Sequence, residues 1–305
     1  YVEGQPRYEF RYLKFLLERE ALDKNKKKSI DLNVLLLDAD GDFHVQDKTA
    51  LKVFPPTLEA LNEYDVLIFG DCNPNHPKLQ NRLKDVMHYV RGENEKGEKA
   101  PKAGGGILFM AGAFHNPHQY KGTPLANILP VEPLQDNPPP DFPRTEGFRP
   151  ELTPAGRAHP MFRFNPDEGE SLRIWGRLTP IYWTSGAYKL KPLAEVLAVK
   201  PGPEAIEKRQ PLIVQQFVGS GRSMFFAIDE TWRWRLREDE SKFNNFWIHT
   251  MRYLSRGRTT RTDLRLDRQT PYRVGEDIKI TVRFPENFGG TNPDAPKVDD
   301  KTEVK

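Results

Sequence analysis

Three short, almost uninterrupted apolar runs constrain the fold of this chain more than any other feature. They occupy residues 31–38 (DLNVLLLD), 64–71 (YDVLIFGD) and 104–112 (GGGILFMAG). A strand exposed on one face alternates apolar and polar residues. A run without alternation marks a strand buried on both faces, and such strands belong to parallel sheets covered by helices. Between the runs the period becomes helical. Phe10, Leu13, Leu16 and Leu17 follow Pro6 at helical spacing, and Leu79, Leu83, Val86, Met87 and Val90 stripe a second helix. Residues 1–4 read as the stub of a first strand, ending at Glu3-Gly4. This strand–helix–strand repetition predicts an α/β fold with a mostly parallel sheet covered on both sides.

The middle of the chain reads differently. Residues 130–150 hold seven prolines, including Pro138-Pro139-Pro140, so that stretch is expected to be irregular or polyproline-like, a stiff surface excursion or a ligand for a proline-binding module. Short edge strands are expected at 172–175 and 181–183, and a longer one at 193–199. Residues 212–218 and 222–229 flank Gly219-Ser220-Gly221 and read as a hairpin. Phe243, Phe246, Trp247, Met251 and Leu254 define a last helix. Beyond Arg261 the period drops to two. Leu264 and Leu266, and then Ile278, Ile280, Val282 and Phe284, alternate with polar residues around a turn at Val274-Gly275-Glu276. The expected organisation is an α/β domain over 1–256, the start of a β-sandwich-like segment over 257–286, and a polar tail over 287–305. The opening without Met is read as a piece of a longer protein.

Composition excludes several classes. Lys and Arg number 46 against 43 Asp and Glu, a net charge of +3, which gives no electrostatic footprint for nucleic acid or an anionic membrane. No apolar run reaches the ~18 residues of a spanning helix, so no membrane insertion by this segment is expected. The single Cys, Cys72, precludes an intrachain disulfide and a Cys-based metal cluster. The acidic loop Asp38-Ala39-Asp40-Gly41-Asp42 is no calcium loop, because Gly41 comes too early and no Glu closes it.

The layout resembles the class I glutamine amidotransferase-like fold, a flavodoxin-like three-layer sandwich. The Gly-rich approach to the strand at 104–110 sits where that family's nucleophile strand lies. The hairpin at 219–229 is similar to the one that delivers the family's catalytic histidine, and the helix at 243–254 closes the domain. Residues 2–11 (VEGQPRYEFR) and 229–235 (DETWRWR) resemble amidotransferase-like domains of large bacterial membrane-anchored proteins that often carry von Willebrand A modules. The resemblance covers about residues 1–256. It implies an extracytoplasmic soluble domain whose partners are other domains of the same chain or envelope proteins. An active glutaminase of this class needs a Cys nucleophile activated by a His–Glu pair. Here the nucleophile position falls on Ala111 or Gly112, and Asp229-Glu230-Thr231 stands where a His-x-Glu motif would follow the late strand. The Cys-His-Glu triad is read as absent, and glutaminase activity is not expected.

Ligands of open α/β sheets bind beyond the carboxyl ends of the strands. Read along the chain, those ends carry Glu3, Asp38, Asp71, His115, Asp229 and Glu230. They are expected on one rim, with Arg7 and Arg11 as the nearest compensating cations. The rim is either a polar site or a set of turn and helix caps. His115 and His118 flank Asn116-Pro117, and a solvated turn is favoured there over a shared metal. Trp232-Arg233-Trp234-Arg235 is read as alternating, with both Trp on one side. Its Arg either pair with Glu230, Glu238 or Asp239, or join Tyr182-Trp183 in an aromatic–cationic platform for a sugar or an anionic chain. No cofactor is expected. The leading expectation is a non-catalytic binding or scaffolding module. The alternatives are a hydrolase or transferase using the rim carboxylates with His115, and a carbohydrate-binding domain.

Overall fold

The computed structural model describes residues 1–19, 29–100, 102–136, 146–236 and 240–255, and the backbone of 263–266 and 280–283. The chain divides into two units, Tyr1–Gly257 and Arg258–Lys305. The first begins with β1 (Val2–Glu3), α1 (Tyr8–Arg19), β2 (Leu35–Leu36), α2 (Phe43–Gln46), α3 (Leu58–Asn62), β3 (Val66–Phe69), α4 (Leu83–Arg91) and β4 (Gly106–Met110). It continues through β5 (Val131–Pro133), β6 (Glu151–Leu152), α5 (Pro154–Ala158), α6 (Glu168–Arg177), β7 (Tyr188–Leu190), β8 (Glu195–Val199), β9 (Pro211–Val218), β10 (Gly221–Phe226) and α7 (Ser241–Ser255).

Eight strands form one sheet in the order β2-β1-β3-β4-β10-β9-β8-β6. The first five are mutually parallel. From β10 onward each pairing is antiparallel. This is the α/β sandwich that the apolar runs imply, and β4 is buried along its whole length because the sheet is covered on both faces. The glycines before and at the start of β4 show how closely the layers approach. A Cβ on Gly105 would lie 2.0 Å from the Tyr89 ring of α4, and one on Gly106 would lie 2.6 Å from the Leu254 carbonyl of α7. Successive residues of a strand face opposite ways, so α4 and α7 cover opposite faces. The α7 stripe expected from the sequence (Phe243, Phe246, Trp247, Met251 and Leu254) is buried, as are Phe10, Leu13, Leu16 and Leu17 of α1. The β9–β10 hairpin turns at Gly219, whose φ of 59° favours glycine.

Several local expectations are corrected. Residues 172–175 lie inside α6, whose first turn is capped by the Asp167 carboxylate accepting from the Glu170 amide at 2.7 Å. This capping, with Glu168 and Glu170 in the first turn, favours helix over an edge strand. Ile181 makes a single bridge with Phe148 and continues into no ladder. Of residues 31–38 only Leu35–Leu36 pairs in the sheet. Leu79 closes a separate 3-10 turn, Pro77–Leu79, and Gln80 and Asn81 take positive φ before α4 begins at Leu83. On α4 the buried face includes His88 and Tyr89, while Met87 is only half-buried.

The second unit contributes β11 (Asp263–Leu266) and β12 (Ile280–Arg283), paired antiparallel outside the eight-stranded sheet. The basic run at 24–28, the Pro138-Pro139-Pro140 run, the turn at Val274-Gly275-Glu276 and the tail at 287–305 lie outside the described residues.

Candidate functional site: the carboxyl rim of the parallel strands

The strand order places β1 between β2 and β3. The chain runs outward from β1 to β2, then crosses back to β3 on the other side. The switch point of the sheet, where ligands of such folds usually enter, therefore lies beyond the ends of β1 and β3. Here that crevice is filled by the protein itself. The Glu3 side chain is fully buried. A Cβ on Gly70, just past β3, would fall 2.1 Å from its carboxylate, and a Cβ on Gly4 would fall 2.4 Å from the Asp71 carbonyl. Glycine at both positions lets the two strand ends close on each other.

Arg7 enters this crevice from the loop before α1. One terminal nitrogen donates to the Asp229 carboxylate at 2.8 Å and to the Ala111 carbonyl at 2.9 Å. The other donates to Glu3 at 3.0 Å. A single guanidinium thus ties together the ends of β1, β4 and β10. Glu3 also accepts from the Tyr1 hydroxyl at 3.3 Å and from the amides of Gly4 and Asp71 at 3.2 and 2.8 Å. Burial pushes the Glu3 carboxyl above its ordinary value, with Arg7 pulling the other way. Arg11, the other expected cation, bonds the Pro6 carbonyl instead.

Asp71 is spent on backbone. Its carboxylate accepts from the amides of Phe114, His115 and Asn116 at 2.9, 2.7 and 2.9 Å. It clamps the loop after β4. Asn116, missed in the sequence, completes that clamp, because its side-chain amide donates to the carbonyls of Phe69, Gly70 and Met110. Its signal was its place just before a proline after a buried strand. The His115 ring faces Gln119 at 2.8 Å, away from Asp71. His118 is buried, contrary to the expected solvated turn. Its Nδ1 lies 3.3 Å from the Gln135 carbonyl, and burial lowers its pKa.

The remaining rim candidates separate. Asp38 follows β2 at the same edge, but it is exposed, and its carboxylate lies 3.8 Å from the His76 ring. Glu230 is buried and accepts from the amides of Tyr182 and Trp183 at 2.5 and 2.8 Å and from Arg233 at 2.9 Å. It anchors a loop. Glu9, also missed, is fully buried on α1. It accepts from the Thr231 hydroxyl at 2.5 Å and the Trp232 amide at 3.2 Å, and burial pushes it up to about 7. Its sequence signal was faint, an acid between apolar positions in the first turn of a helix.

The Trp-Arg segment is a 3-10 turn, Thr231–Arg235, so the expected alternation fails: at three residues per turn, neighbours two apart point in different directions. Trp234 is buried against Trp175 and Phe246. Trp232 stacks on Tyr8 and Tyr12 of α1. Arg233 lies between the Trp232 and Tyr182 rings, 4.6 and 4.9 Å from their centres. Arg235 covers Tyr12 and pairs with Glu240. The other expected partners, Glu238 and Asp239, lie outside the described residues.

At Ala111 and Gly112, where the nucleophile is expected, the Ala111 amide donates to the Phe226 carbonyl at 2.8 Å and the Gly112 amide to the Asn116 carbonyl at 3.0 Å. Cys72 is buried one strand away, its sulfur 3.1 Å from the Tyr120 hydroxyl. Burial drives its thiol far above the ordinary range. Chemically, the rim cross-links strand ends and clamps loops.

Fold and rim together define a member of the amidotransferase-like α/β class. The family model described as "Putative glutamine amidotransferase" matches residues 36–256, and the chain belongs to this family. Two solved structures share the fold. The cytoplasmic protein STM1381 of Salmonella typhimurium LT2 is 22% identical with a TM-score of 0.54, over 80% of this chain and 86% of that one. The cytoplasmic protein STM3548 of Salmonella typhimurium is 20% identical with a TM-score of 0.53, over 80% and 85%. No curated protein matches the sequence.

Proposed function

We propose that this chain is a non-catalytic member of the amidotransferase-like family. It would serve as a binding or scaffolding module of a larger bacterial envelope protein, with other domains of that chain or other envelope proteins as its partners. The observation that carries the reading is Arg7. Its guanidinium occupies the rim crevice and is held by Glu3, Asp229 and the Ala111 carbonyl, so the groups a catalyst would present are paired to one another. The degenerate triad read from the sequence supports the same reading: Ala111 and Gly112 stand where a nucleophile is expected, and the sole Cys, Cys72, is buried. The hydrolase or transferase alternative is disfavoured because Asp71 is committed to three backbone amides and His115 to Gln119. An extracytoplasmic setting rests on the resemblance of residues 2–11 and 229–235 to membrane-anchored proteins. Among the described residues no helix is long and apolar enough to cross a membrane.

Ammonia release from glutamine by the purified chain tests the reading. No turnover above background is expected. Turnover that disappears in Cys72→Ala would make the chain a glutaminase and end the non-catalytic proposal.

A further inference from the structure

A groove of about 610 Å³ lies between α1 and the loop leading from β2 into α2. That volume is within the range of ~300–1,000 Å³ usual for small-molecule sites, and the groove is separate from the Arg7 crevice. Its floor is apolar, with Phe10, Leu36 and Phe43 among its lining. Phe10 and Leu36 are themselves buried, so the apolar surface open to the groove comes from the half-buried Phe43 and the exposed Phe15. The α1 side carries Arg11. Its Nε donates to the Pro6 carbonyl at 2.9 Å, and among the described residues its two terminal nitrogens meet no carboxylate. The loop side carries Asp38 and Asp40, both exposed. Asp38 has only the His76 ring at 3.8 Å, and the Asp40 carboxylate has no partner among the described residues. Lys14, also in the lining, is already neutralised by Glu18 at 2.5 Å and Asp47 at 3.0 Å.

The groove therefore offers one uncommitted cation and two weakly committed carboxylates around an apolar floor. An anionic ligand would meet Asp38 and Asp40, and a cationic one would leave Arg11 unmatched. A neutral apolar ligand would desolvate all three without replacing their water. A zwitterion whose charges flank apolar groups satisfies every wall, and a short peptide with free termini has that form. We propose that this groove binds such a peptide, its carboxylate on Arg11, its ammonium on Asp38 and Asp40, and its apolar side chains on Phe15 and Phe43. The proposal is independent of whether the rim is catalytic.

The test is calorimetric titration of the intact chain with the dipeptide Leu-Phe, its C-terminal amide and its N-acetyl form. Leu-Phe is expected to bind. Amidating the peptide or introducing Arg11→Gln should each weaken binding about tenfold, and the two losses should not add, since both remove the same charge-assisted contact. N-acetylation and the paired change Asp38→Asn, Asp40→Asn should behave likewise at the other terminus. These residues are exposed, and thermal melts confirm that the variants fold. The proposal is overturned if Leu-Phe gives no binding at millimolar concentration, if the blocked peptides bind as well as the free one, or if the losses from peptide and protein changes add in full.

Discussion

Asp71 occupies the space that a side chain at Gly112 would need: a Cβ at position 112 would lie 2.2 Å from the Asp71 carboxyl carbon. The resemblance proposed for this chain puts a nucleophile near this position, which gives the contact a bearing on the non-catalytic proposal. The carboxylate cannot step aside cheaply, because it holds the amides of Phe114, His115 and Asn116. The carboxylate that fills the space beside Gly112 is thus the one that clamps the loop after β4.

Placing a thiol at position 112 by Gly112→Cys is therefore expected to destabilise the domain without creating glutaminase activity. Displacing Asp71 would leave the buried Asn116 amide and the partly buried Phe114 and His115 amides without their acceptor, and at about 1–3 kcal/mol for a buried unpaired donor a loss of about 3 kcal/mol is expected. Urea denaturation of the variant against the parent measures it. A variant as stable as the parent would show that Asp71 can move.

Among the described residues Arg7 is the only cation bonded to the buried Glu3 carboxylate. Breaking a buried pair by removing one partner typically costs about 3–5 kcal/mol, and Arg7→Met is expected to fall in that range near neutral pH. Without Arg7 the Glu3 carboxyl rises further above its unfolded value, so the variant should lose stability as pH climbs from acid toward neutral. The deficit relative to the parent should be smaller at about pH 5 than at about pH 7. Chemical denaturation at both values tests this, and a deficit independent of pH would show that Arg7 acts by packing alone.

The buried Cys72 thiol, packed on the Tyr120 hydroxyl, is held protonated by its surroundings. Since the thiolate is the reactive form, iodoacetamide at about pH 8 should leave the native chain unlabelled and label it fully in denaturant. Mass spectrometry reads the difference. Rapid labelling of the native protein would mean that the site opens and would weaken the non-catalytic reading.

How much of this was legible depended on whether a residue's role is set along the chain or across it. The runs at 64–71 and 104–112 declared their strands because burial on both faces removes polar residues from the sequence itself. The α7 stripe was equally plain, since its period comes from a single element. Glu3, Asp71 and Asp229 could be assigned to one rim because each follows a strand, and Arg7 could be named as a candidate from its place before α1. The sequence could not tell that Arg7 bonds Asp229, 222 residues away, or that Arg11 turns to Pro6. The Trp-Arg segment misled for a local reason: a two-residue repeat looks extended, yet Glu9 receives the Trp232 amide and the turn coils as a 3-10 helix. The α6 error has the same character, because Leu172 and Trp175 read as apolar strand residues while the deciding cap, Asp167, lies five residues upstream of Leu172.

The buried Glu9 makes stability depend on pH in a direction opposite to that of most paired carboxylates. Thr231 and Trp232 donate to it, but among the described residues no cation is bonded to it, and Asp229 adds to the burial in raising its pKa from 4.5 to about 7. Between those values the folded state holds a proton that the unfolded state has released. The stabilising contribution of protonated Glu9 is thus complete below about pH 4.5 and declines as pH rises toward about pH 7, by about 3 kcal/mol at ~1.4 kcal/mol per pKa unit. Glu9→Gln keeps an uncharged acceptor for Thr231 or Trp232 and cannot ionise. The variant is therefore expected to have a flatter stability profile across this window and to match or exceed the parent near neutral pH, while gaining nothing at about pH 4.5. The Thr231 hydroxyl also accepts from the Trp247 ring nitrogen at 2.9 Å, so Glu9 is linked through it to α7, and its charging should be felt in global unfolding. Urea denaturation of parent and variant across the window measures both curves. Parallel curves would place the Glu9 titration outside this range and remove burial as the force that sets its charge.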